Sequence, residues 1–452
     1  MVDKHKALLA VERFGRLYSC RLKYANPYEV RTMKDVGIRT PGAAAIAALA
    51  VLAAACPRAG SAPMKNASAM LPKVYLVAPA ELADMRRRVL AGDKSLAPAV
   101  AKLRRDADKA LRQKPISVMD KTQTPATGDR HDYMSVGPYW WPDPHKPDGL
   151  PYIRRDGEVH SGRGMLDDGP FKRLLSAVVA LGRAYYFTGH EPYAAHAATL
   201  LRVWFLDPAR RMNPNLTCAQ AIPGRCTGRG IGIVDWGSVP VMIDAVGMLD
   251  GSKAWTAADR RGLQKWFGEL LTWLTQSKHG KDEQRTRNNH ATQYDAQVAC
   301  YALFTGQKDL ARQMLSKVGH RRIDTHIRPD GSQPAELART KSWDYSCANT
   351  RNFCRLALLG ERVGVNLWTH AGPKGQSLHK AIDYLLPFAT GDKAWGHKQI
   401  KPLRGSRLAL PLRLAARHYG EARYVEALKK LANPARSATS ADNLLYPLAT
   451  KP

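Results

Sequence analysis

The chain has 452 residues, of which 44% are hydrophobic and 24% are charged, so it can bury a large core and is not globally disordered. Its 69 Lys and Arg residues outnumber its 39 Asp and Glu residues, and the resulting formal net charge of +30 favours polyanionic partners. The basic residues are spread along the sequence rather than gathered in one block, which argues against a simple nucleic-acid-binding tail.

The amino-terminal segment is predicted to be an export signal. Residues 42–55 form an apolar run that is shorter than a membrane span but typical of a signal-peptide core. We expect residues 33–62 to be a signal peptide or a lipoprotein signal, with Cys56 as the site of a lipid anchor in the second case. Residues 1–32 are interpreted as an over-long start or a non-structural extension. The predicted location is periplasmic, with no integral membrane span in the mature chain.

From about residue 80 onward, the sequence predicts amphipathic helices separated by glycine and proline turns. Three helix pairs are joined at or near a glycine, as in helical hairpins, and strand-like alternation is scarce. The pattern predicts one all-α domain over residues 63–452, built as either an α/α toroid or an α-solenoid. The predicted helices cover residues 81–91, 171–187, 193–205, 239–249, 256–276, 293–304, 308–318, 346–363, 377–388, 413–419 and 422–431.

Two long segments, 113–168 and 206–238, lack this helical pattern and are rich in proline, glycine and aromatic residues. Loops of that length in a compact domain are usually functional, so both are predicted to form the walls of a cleft. The first contains Tyr139, Trp140 and Trp141, whose rings are suited to stacking on sugars. The same rings are equally suited to fixing the loop onto the core.

The second segment contains an amide and two cysteines of interest. The side chain of Gln220 can hydrogen-bond sugar hydroxyls and carboxylates, so it is a candidate for substrate binding. Cys218 and Cys226 flank a short loop and are the best disulfide candidates in an oxidising compartment. No Cys-x-x-Cys or His-Glu-x-x-His spacing is present, so neither a metal nor a cofactor is predicted.

The strongest candidates for chemistry are Asn289 and His290, at the start of a predicted helix, where backbone N–H groups favour an anion. Asn289 can donate to a carboxylate, and His290 can act as a donor or a base near neutral pH. Arg339, Lys341 and Tyr345 follow downstream and place two cations and a phenol within about two turns if that segment is helical. The alternative is a capped helix start, a solvated basic helix end and a packed tyrosine.

These residues resemble a known family. The sequence is similar to the alginate lyase superfamily of uronate polysaccharide lyases, particularly the branch with polysaccharide lyase family thirty-eight, and more distantly to the family-five alginate lyases. The similarity extends over most of residues 75–450, and its marks are residues 135–144, 212–215, 288–290, 336–340 and Tyr345. The resemblance implies an α/α toroid. It also implies a carboxylate-neutralising Asn289, a base at His290, a uronate contact at Arg339 and a proton-transferring Tyr345.

The implied reaction is β-elimination on a β-1,4-linked polyuronate, with alginate or polymannuronate as the leading substrate and glucuronan as an alternative. The C5 proton of a uronate is barely acidic while the adjacent carboxylate is charged, so Asn289 and Arg339 would stabilise the developing dianion. Either Tyr345 or His290 would take the C5 proton, and Tyr345 would protonate the leaving oxygen. A nearby cation is expected to lower the pKa of Tyr345.

Two other functions fit the same composition. A glycoside hydrolase would need two carboxylic acids about 5 to 10 Å apart, and Asp132, Asp143, Asp235 and Glu336 are available. A non-catalytic polyanion-binding protein would use the same cations and aromatic rings without turnover. Nucleic-acid binding is the weakest hypothesis, because no recognisable module is present and export is predicted. The expected partner is an anionic polysaccharide.

Overall fold

The computed structural model describes residues 71–162, 166–433 and 437–448, and most of them are helical. The predicted extension at 1–32, the predicted signal at 33–62 and Cys56 lie outside the described residues. The main helices are α1 (Pro79–Leu90), α2 (Ala97–Leu111), α3 (Asp168–Thr188), α4 (Glu191–Leu201), α5 (Val239–Gly247), α6 (Ala257–Gln276), α7 (Lys278–Gln284), α8 (Asn289–Phe304), α9 (Lys308–Leu315), α10 (Asp324–His326), α11 (Pro334–Leu337), α12 (Ser342–Glu361), α13 (Leu378–Ala389), α14 (Ala409–Tyr419) and α15 (Ala422–Leu431), with a further short helix at Asp442–Leu445.

The helices are arranged as hairpins, as the sequence predicts. Helices α3 and α4, α8 and α9, and α14 and α15 are neighbours in the chain that pack against each other. Gly189 and Gly420 end α3 and α14 with φ values of +68° and +71°. Because this left-handed conformation is unfavourable for residues with a Cβ, glycine stops each helix and turns the chain into the next one.

Helices α8 and α12 form the centre of the domain and pack against each other. Almost every side chain of α8 is buried, including the polar Thr292, and α12 is also buried around most of its circumference. A polar contact joins the two helices, because the Thr292 hydroxyl donates to Asn349 Oδ1 over 2.5 Å, and Asn349 in turn donates to Gln333, just before α11, over 2.8 Å. A helix buried all round belongs to the core, and both of these helices begin at the candidate site.

The segment that carries Arg339 and Tyr345 is not one continuous helix. Helix α11 ends at Leu337, residues 338–341 are not helical, and α12 begins at Ser342. Backbone hydrogen bonds hold this break against residues 398–400: Ile400 N donates to Thr340 O over 2.9 Å, and Ser342 N donates to Lys398 O over 3.2 Å. The condition of one continuous helix over 336–345 is therefore not met, and the break lets Arg339 fold back onto the first turn of α12.

The two long loop segments contain the four short strands of the described chain. Strand β1 (Met134–Val136) pairs in parallel with β4 (Cys218–Ala221), so the first loop segment is bound to the second. Strand β2 (Trp140–Trp141) pairs antiparallel with β3 (Ile153–Arg154) inside the first segment. These pairings give the backbone groups of long irregular segments hydrogen-bond partners, and they position the aromatic residues.

The predicted disulfide between Cys218 and Cys226 is wrong, because both thiols are free. Cys226 is paired with Ile222 through two backbone hydrogen bonds of 2.9 and 3.0 Å. The returning chain places Gly228 against Cys218, where an added Cβ on the glycine would lie 2.8 Å from Cys218 Cα. The hairpin register thus puts a glycine, not the second cysteine, beside the first.

One stretch of the described residues, Gly230–Gly247, is long and apolar enough to cross a membrane by length and composition. It consists of the 3₁₀ helix Gly230–Trp236 followed by α5, and 72% of it is buried inside the domain. A buried core helix passes the same length and composition test, so this stretch is part of the core.

The core also contains an ion pair between Arg322 and Asp295. Arg322 Nε donates to Asp295 Oδ2 over 2.7 Å, and the two side chains are only 5% and 2% exposed. Arg322 also donates to Gln284 O over 2.8 Å, so it ties the end of α7 to α8. Breaking such a pair leaves one buried charge without a partner.

We predict that Arg322→Met lowers the free energy of unfolding by about 3–5 kcal/mol, because the Asp295 carboxylate stays buried without its cation. Lys278→Met is the control, since its ion pair with Asp282 is exposed to solvent and should contribute little to stability. Denaturant titration measures both. Equal effects of the two variants would contradict the prediction, and adding Asp295→Leu to Arg322→Met should recover most of the loss.

Candidate active site

The phenol of Tyr345 is the centre of a tight polar cluster in the first turn of α12. Its oxygen lies 2.7 Å from the Tyr139 hydroxyl and accepts a hydrogen bond from Arg339 Nη2 over 3.0 Å. The Arg339 guanidinium carbon also lies 4.0 Å from the centre of the Tyr345 ring, and Lys341 Nζ lies 4.9 Å from the centre of the Tyr139 ring. The structure therefore brings together four of the predicted site residues.

Asp156 and Thr340 hold Arg339 in place. Asp156 accepts from Arg339 Nη2 over 2.7 Å and from Nε over 3.3 Å, and it also accepts from the Thr340 hydroxyl over 2.8 Å. Burial alone would raise the pKa of the Asp156 carboxyl, but the hydrogen bonds from Arg339 and Thr340 outweigh it and hold that pKa well below its usual value. Asp156 is therefore ionised, and Arg339 is fixed by a charge-assisted pair.

Burial raises the pKa of the Tyr345 phenol well above its usual value. The neighbouring Tyr139 raises it further, while the positive charge of Arg339 lowers it. The expectation that a nearby cation leaves Tyr345 with a lowered pKa is thus wrong in its net direction, because desolvation outweighs the charge. Tyr345 is a protonated phenol in the free protein.

Asn289 is tied to the buried carboxylate of Glu336. Its backbone N–H and its side-chain amide each donate to Glu336 over 2.6 Å, and Asn289 is only 5% exposed. Asn288 caps α8 by accepting from His290 N over 3.1 Å, so the polar run before the helix is the capping sequence itself. One amide proton of Asn289 is used by Glu336, and the second has no acceptor among the residues that the structure describes.

His290 is oriented by Glu283, a second buried carboxylate. His290 Nδ1 lies 2.7 Å from Glu283 Oε1, and the side chains of His290 and Glu283 are 13% and 1% exposed. A carboxylate acceptor at Nδ1 favours the tautomer that carries its proton there, which leaves Nε2 with a free lone pair. The pair has the arrangement of an oriented general base.

Glu336 connects the two halves of the cluster. Burial raises the pKa of its carboxyl, while the hydrogen bonds from Asn289 and the charges of His290 and Arg339 lower it. Its backbone carbonyl accepts from Arg339 N over 3.1 Å. The starts of α8 and α12 are thereby held at one place, with Arg339 between them.

Comparison with known proteins identifies the family. The family model described as alginate lyase matches residues 117–395, a range that contains every residue of the cluster and all but the first four residues of the two loop segments. An alginate lyase from Bacteroides ovatus is similar in structure, with 39% sequence identity, a TM-score of 0.80, and coverage of 83% of this chain and 99% of that one. The chain belongs to the alginate lyase family. Membership makes it a polysaccharide lyase.

Alginate lyase A1-III from Sphingomonas species A1 shares the fold at 17% identity, with a TM-score of 0.54 and coverage of 87% of this chain and 100% of that one. A variant of A1-III in complex with a tetrasaccharide gives 18% identity, the same TM-score of 0.54, and coverage of 87% and 99%. Among curated proteins, none matches this sequence. The fold shared with these lyases is the α/α toroid, which confirms the first of the two predicted architectures.

The loop aromatics of this alginate lyase family member lie among cations. The guanidinium carbons of Arg225 and Arg229 lie 5.3 and 5.8 Å from the centre of the Trp140 ring, and that of Arg155 lies 5.0 Å from the Trp141 ring. Cation–π contacts of this kind hold the arginines against the loop. The two tryptophans therefore position positive charge, and their stacking on a sugar stays a prediction.

Gln220 does not offer its amide to a sugar. It is 4% exposed, its amide nitrogen donates to Asp235 over 2.8 Å, and its amide oxygen accepts from Arg229 over 3.0 Å. Its φ of +48° is unusual for a residue with a side chain and places its backbone carbonyl to accept from Arg229 Nε over 3.0 Å. The substrate contact assigned to Gln220 is therefore wrong, because both ends of its amide are already used to hold Arg229.

The acids proposed for a hydrolase are also in use. Asp132 accepts from two asparagine amides, at 2.9 and 2.8 Å, and the half-buried Asp235 accepts from Ser135 over 2.6 Å. Asp143 accepts from a backbone N–H of its own turn over 3.0 Å. With Glu336 bound to Asn289, each of the four candidate acids has a structural partner, and hydrolysis is not favoured.

Sequence reasoning missed Asp156 and Glu283 and did not assign Glu336 to Asn289. Glu336 could have been recognised as a site residue from the sequence, since it stands three residues before Arg339 in the family motif. Asp156 and Glu283 could not have been recognised in this way. Asp156 is a single acid whose partner Arg339 is distant in the chain, and Glu283 is a single acid whose partner His290 is on the next helix. Only their burial beside Arg339 and His290 reveals their roles.

We predict that Asp156→Ala lowers kcat/KM by about 10²-fold, because Arg339 loses the carboxylate that fixes its guanidinium beside Tyr345. Glu158→Ala is the control, since that side chain is exposed in the same loop. Steady-state kinetics on an alginate substrate measure both variants. Similar values for the two would show that Arg339 is positioned without Asp156.

Proposed function

We propose that the protein cleaves alginate, or a closely related β-1,4-linked polyuronate, by β-elimination at the starts of α8 and α12. The observation that carries the proposal is the contact of one half-buried phenol, Tyr345, with both Arg339 and Tyr139. The related proteins are alginate lyases, which supports the same substrate class here. The anionic polysaccharide is the proposed partner.

Arg339 would neutralise the uronate carboxylate. Its Nε and Nη2 groups donate to Asp156 and Tyr345, and among the described residues no acceptor contacts its Nη1 group. The second amide proton of Asn289 is the other available donor. Both groups are held rigidly by carboxylates behind them, so they stabilise the enolate-like dianion without reorganising during the reaction.

The proton transfers would be divided between Tyr345 and His290. The raised pKa of Tyr345 keeps its proton in place, which suits it to protonate the glycosidic oxygen as the C4–O bond breaks. His290, with Glu283 behind its Nδ1, would take the C5 proton through Nε2 when that proton lies on its side of the sugar ring. For the opposite epimer, Tyr345 would have to do both: it would first lose its proton to solvent, then take the C5 proton as a phenolate and pass that proton to the leaving glycosidic oxygen.

The charge around the loop supports an acidic polymer over a neutral one. Arg225, Arg229 and Arg155 flank the two tryptophans, and Lys341 lies over Tyr139. In this arrangement, a sugar ring that stacks on one of the aromatic faces would have a cation close to its carboxylate. The basic surface also attracts the polymer over a longer range.

Export is part of the proposal. The apolar run at 42–55 supports a signal peptide and a periplasmic location, and Cys56 supports a lipid anchor as the alternative to cleavage. A polymer too large to enter the cytoplasm would come into contact with the enzyme in the periplasm. Fractionation of cells that express the full chain, with and without residues 1–62, tests this part separately.

We predict that the wild-type protein produces ultraviolet-absorbing unsaturated uronate ends from alginate and that Tyr345→Phe lowers kcat by about 10²–10⁴-fold, because the proton donor is removed. Binding of the polymer should persist in this variant. Tyr185→Phe on α3 is the control and should keep wild-type turnover. A panel of polymannuronate, polyguluronate and glucuronan identifies the uronate.

The proposal would be contradicted if no polymer of the panel gave an ultraviolet-absorbing product while the protein remained folded. New reducing ends without absorbance would indicate hydrolysis instead. Unchanged turnover by Tyr345→Phe would remove this tyrosine from the mechanism but not the lyase activity.

We predict that Glu283→Ala lowers kcat by about 10²-fold with little change in KM, because His290 loses the acceptor that fixes its ring, while Glu283→Gln retains much of the activity. The glutamine amide can still accept from Nδ1–H, so it preserves the orientation without the charge. Substrate-dependent initial rates separate kcat from KM. If glutamine is no better than alanine, orientation of His290 is not what Glu283 provides.

A further inference from the structure

A second group of cations, each half-buried, lies farther along α12, away from its first turn. Arg351 and Arg355 on α12, together with Arg183 on α3, line a largely enclosed cavity of about 70 Å³. Arg355 is ten residues beyond Tyr345, which corresponds to about 15 Å along the helix axis. The cavity is therefore separate from the proposed catalytic cluster.

Two of these arginines have no acceptor. Within the described part of the chain, neither Arg183 nor Arg351 donates a hydrogen bond, and no carboxylate lies within 4.0 Å of the guanidinium groups of the three arginines. Arg355 donates to Gly237 O over 3.0 Å. Guanidinium groups that line an enclosed space without protein acceptors are arranged to bind something that the protein does not supply.

The acids beside the cavity do not balance the arginines. Asp244 accepts from three successive backbone N–H groups, those of residues 75–77, at 2.7, 3.0 and 3.2 Å. Its carboxylate is thus already satisfied by the start of the domain. Asp442 also lines the cavity. Three arginines therefore share the cavity with two acids, and the carboxylate of one of these acids already accepts its hydrogen bonds from the backbone.

Burial penalises the charged form of all three arginines. It lowers the pKa of Arg183 and Arg351 and lowers that of Arg355 to about 10. Arg351 and Arg355 also repel each other. An anion in the cavity would relieve both the desolvation and the repulsion.

We propose that this cavity binds a small inorganic oxoanion of the phosphate or sulfate class. The planar fork of an arginine matches the paired oxygens of such an anion, and three forks converge here from two helices. A water needs about 10–15 Å³ in the same measure, so the cavity has room for one ion of four oxygens but not for a uronate ring. The cavity walls come from both ends of the domain, since residues 76–77, α3, α5, α12, α14 and Tyr446 all contribute.

The bound anion stabilises the folded domain by linking these elements. Thermal unfolding of the purified protein is measured in increasing inorganic phosphate, with sodium chloride holding the ionic strength constant. A saturable rise in Tm of about 3 °C or more is expected, because phosphate binds the folded state only. Equilibrium dialysis with radiolabelled phosphate should give one ion per chain.

Arg183→Gln is the decisive variant. It should lose most of the phosphate-dependent rise while its Tm without phosphate is equal to or above that of the wild type, because a half-buried cation without a protein acceptor is removed. A purely structural role of Arg183 would instead lower Tm in both conditions. Arg173→Gln, an exposed arginine on the same helix, should respond to phosphate like the wild type.

Arg339→Gln distinguishes phosphate binding in this cavity from phosphate binding in the substrate cleft. This variant should retain the phosphate-dependent rise in Tm. If Arg183→Gln does not fold, Arg351→Gln takes its place in the same measurements. The proposal is overturned if the wild type shows neither a saturable rise nor stoichiometric binding, or if Arg183→Gln and Arg351→Gln bind phosphate like the wild type. Sulfate in place of phosphate tests the breadth of the class.

Discussion

The buried carboxylate of Glu336 is the contact on which the candidate site depends. It accepts both the backbone N–H and the side-chain amide of Asn289 at the start of α8, and its own carbonyl accepts from Arg339 just before α12. Two helices that begin far apart in the chain are thereby held at one point. Burying a carboxylate is unfavourable unless it is well hydrogen-bonded, so this arrangement tolerates little variation in geometry.

Carboxylates behind the site serve as supports rather than as reactants. Asp156 fixes Arg339, Glu283 fixes His290 and Glu336 fixes Asn289. Each of the three groups that would face the sugar has one acid behind it. This pattern explains why a site rich in acids is still suited to an acidic substrate: the acids are turned away from the cleft and hold its donors in position.

The arginines of the interior follow two different patterns. Arg339 and Arg322 each have a carboxylate partner at 2.7 Å. Arg183 and Arg351 have none among the described residues and instead face a shared cavity. The contrast is what distinguishes a structural ion pair from a site that awaits an external anion.

Helices with one apolar face could be predicted well from the sequence. Helix α6 was expected at 256–276 with Thr256 as its cap, and it covers Ala257–Gln276 with a capping box between Thr256 and Asp259. Helix α12 was predicted to start at residue 346 but starts at Ser342, because its buried polar residues carry no amphipathic signal. That difference matters, since it places Tyr345 in the first turn of the helix rather than in a loop.

By itself, the sequence determined the family, the hairpin architecture and most of the residues that meet at the site, because short motifs and helix periodicity are local properties. Tertiary structure alone decided their partners. Tyr139 meets Tyr345 across 206 positions and Asp156 meets Arg339 across 183. It also decided that Tyr345 keeps its proton, that Gln220 faces Arg229 and that Cys218 and Cys226 remain free. Burial, hydrogen bonding and register depend on which distant segments pack together, and no local pattern encodes that.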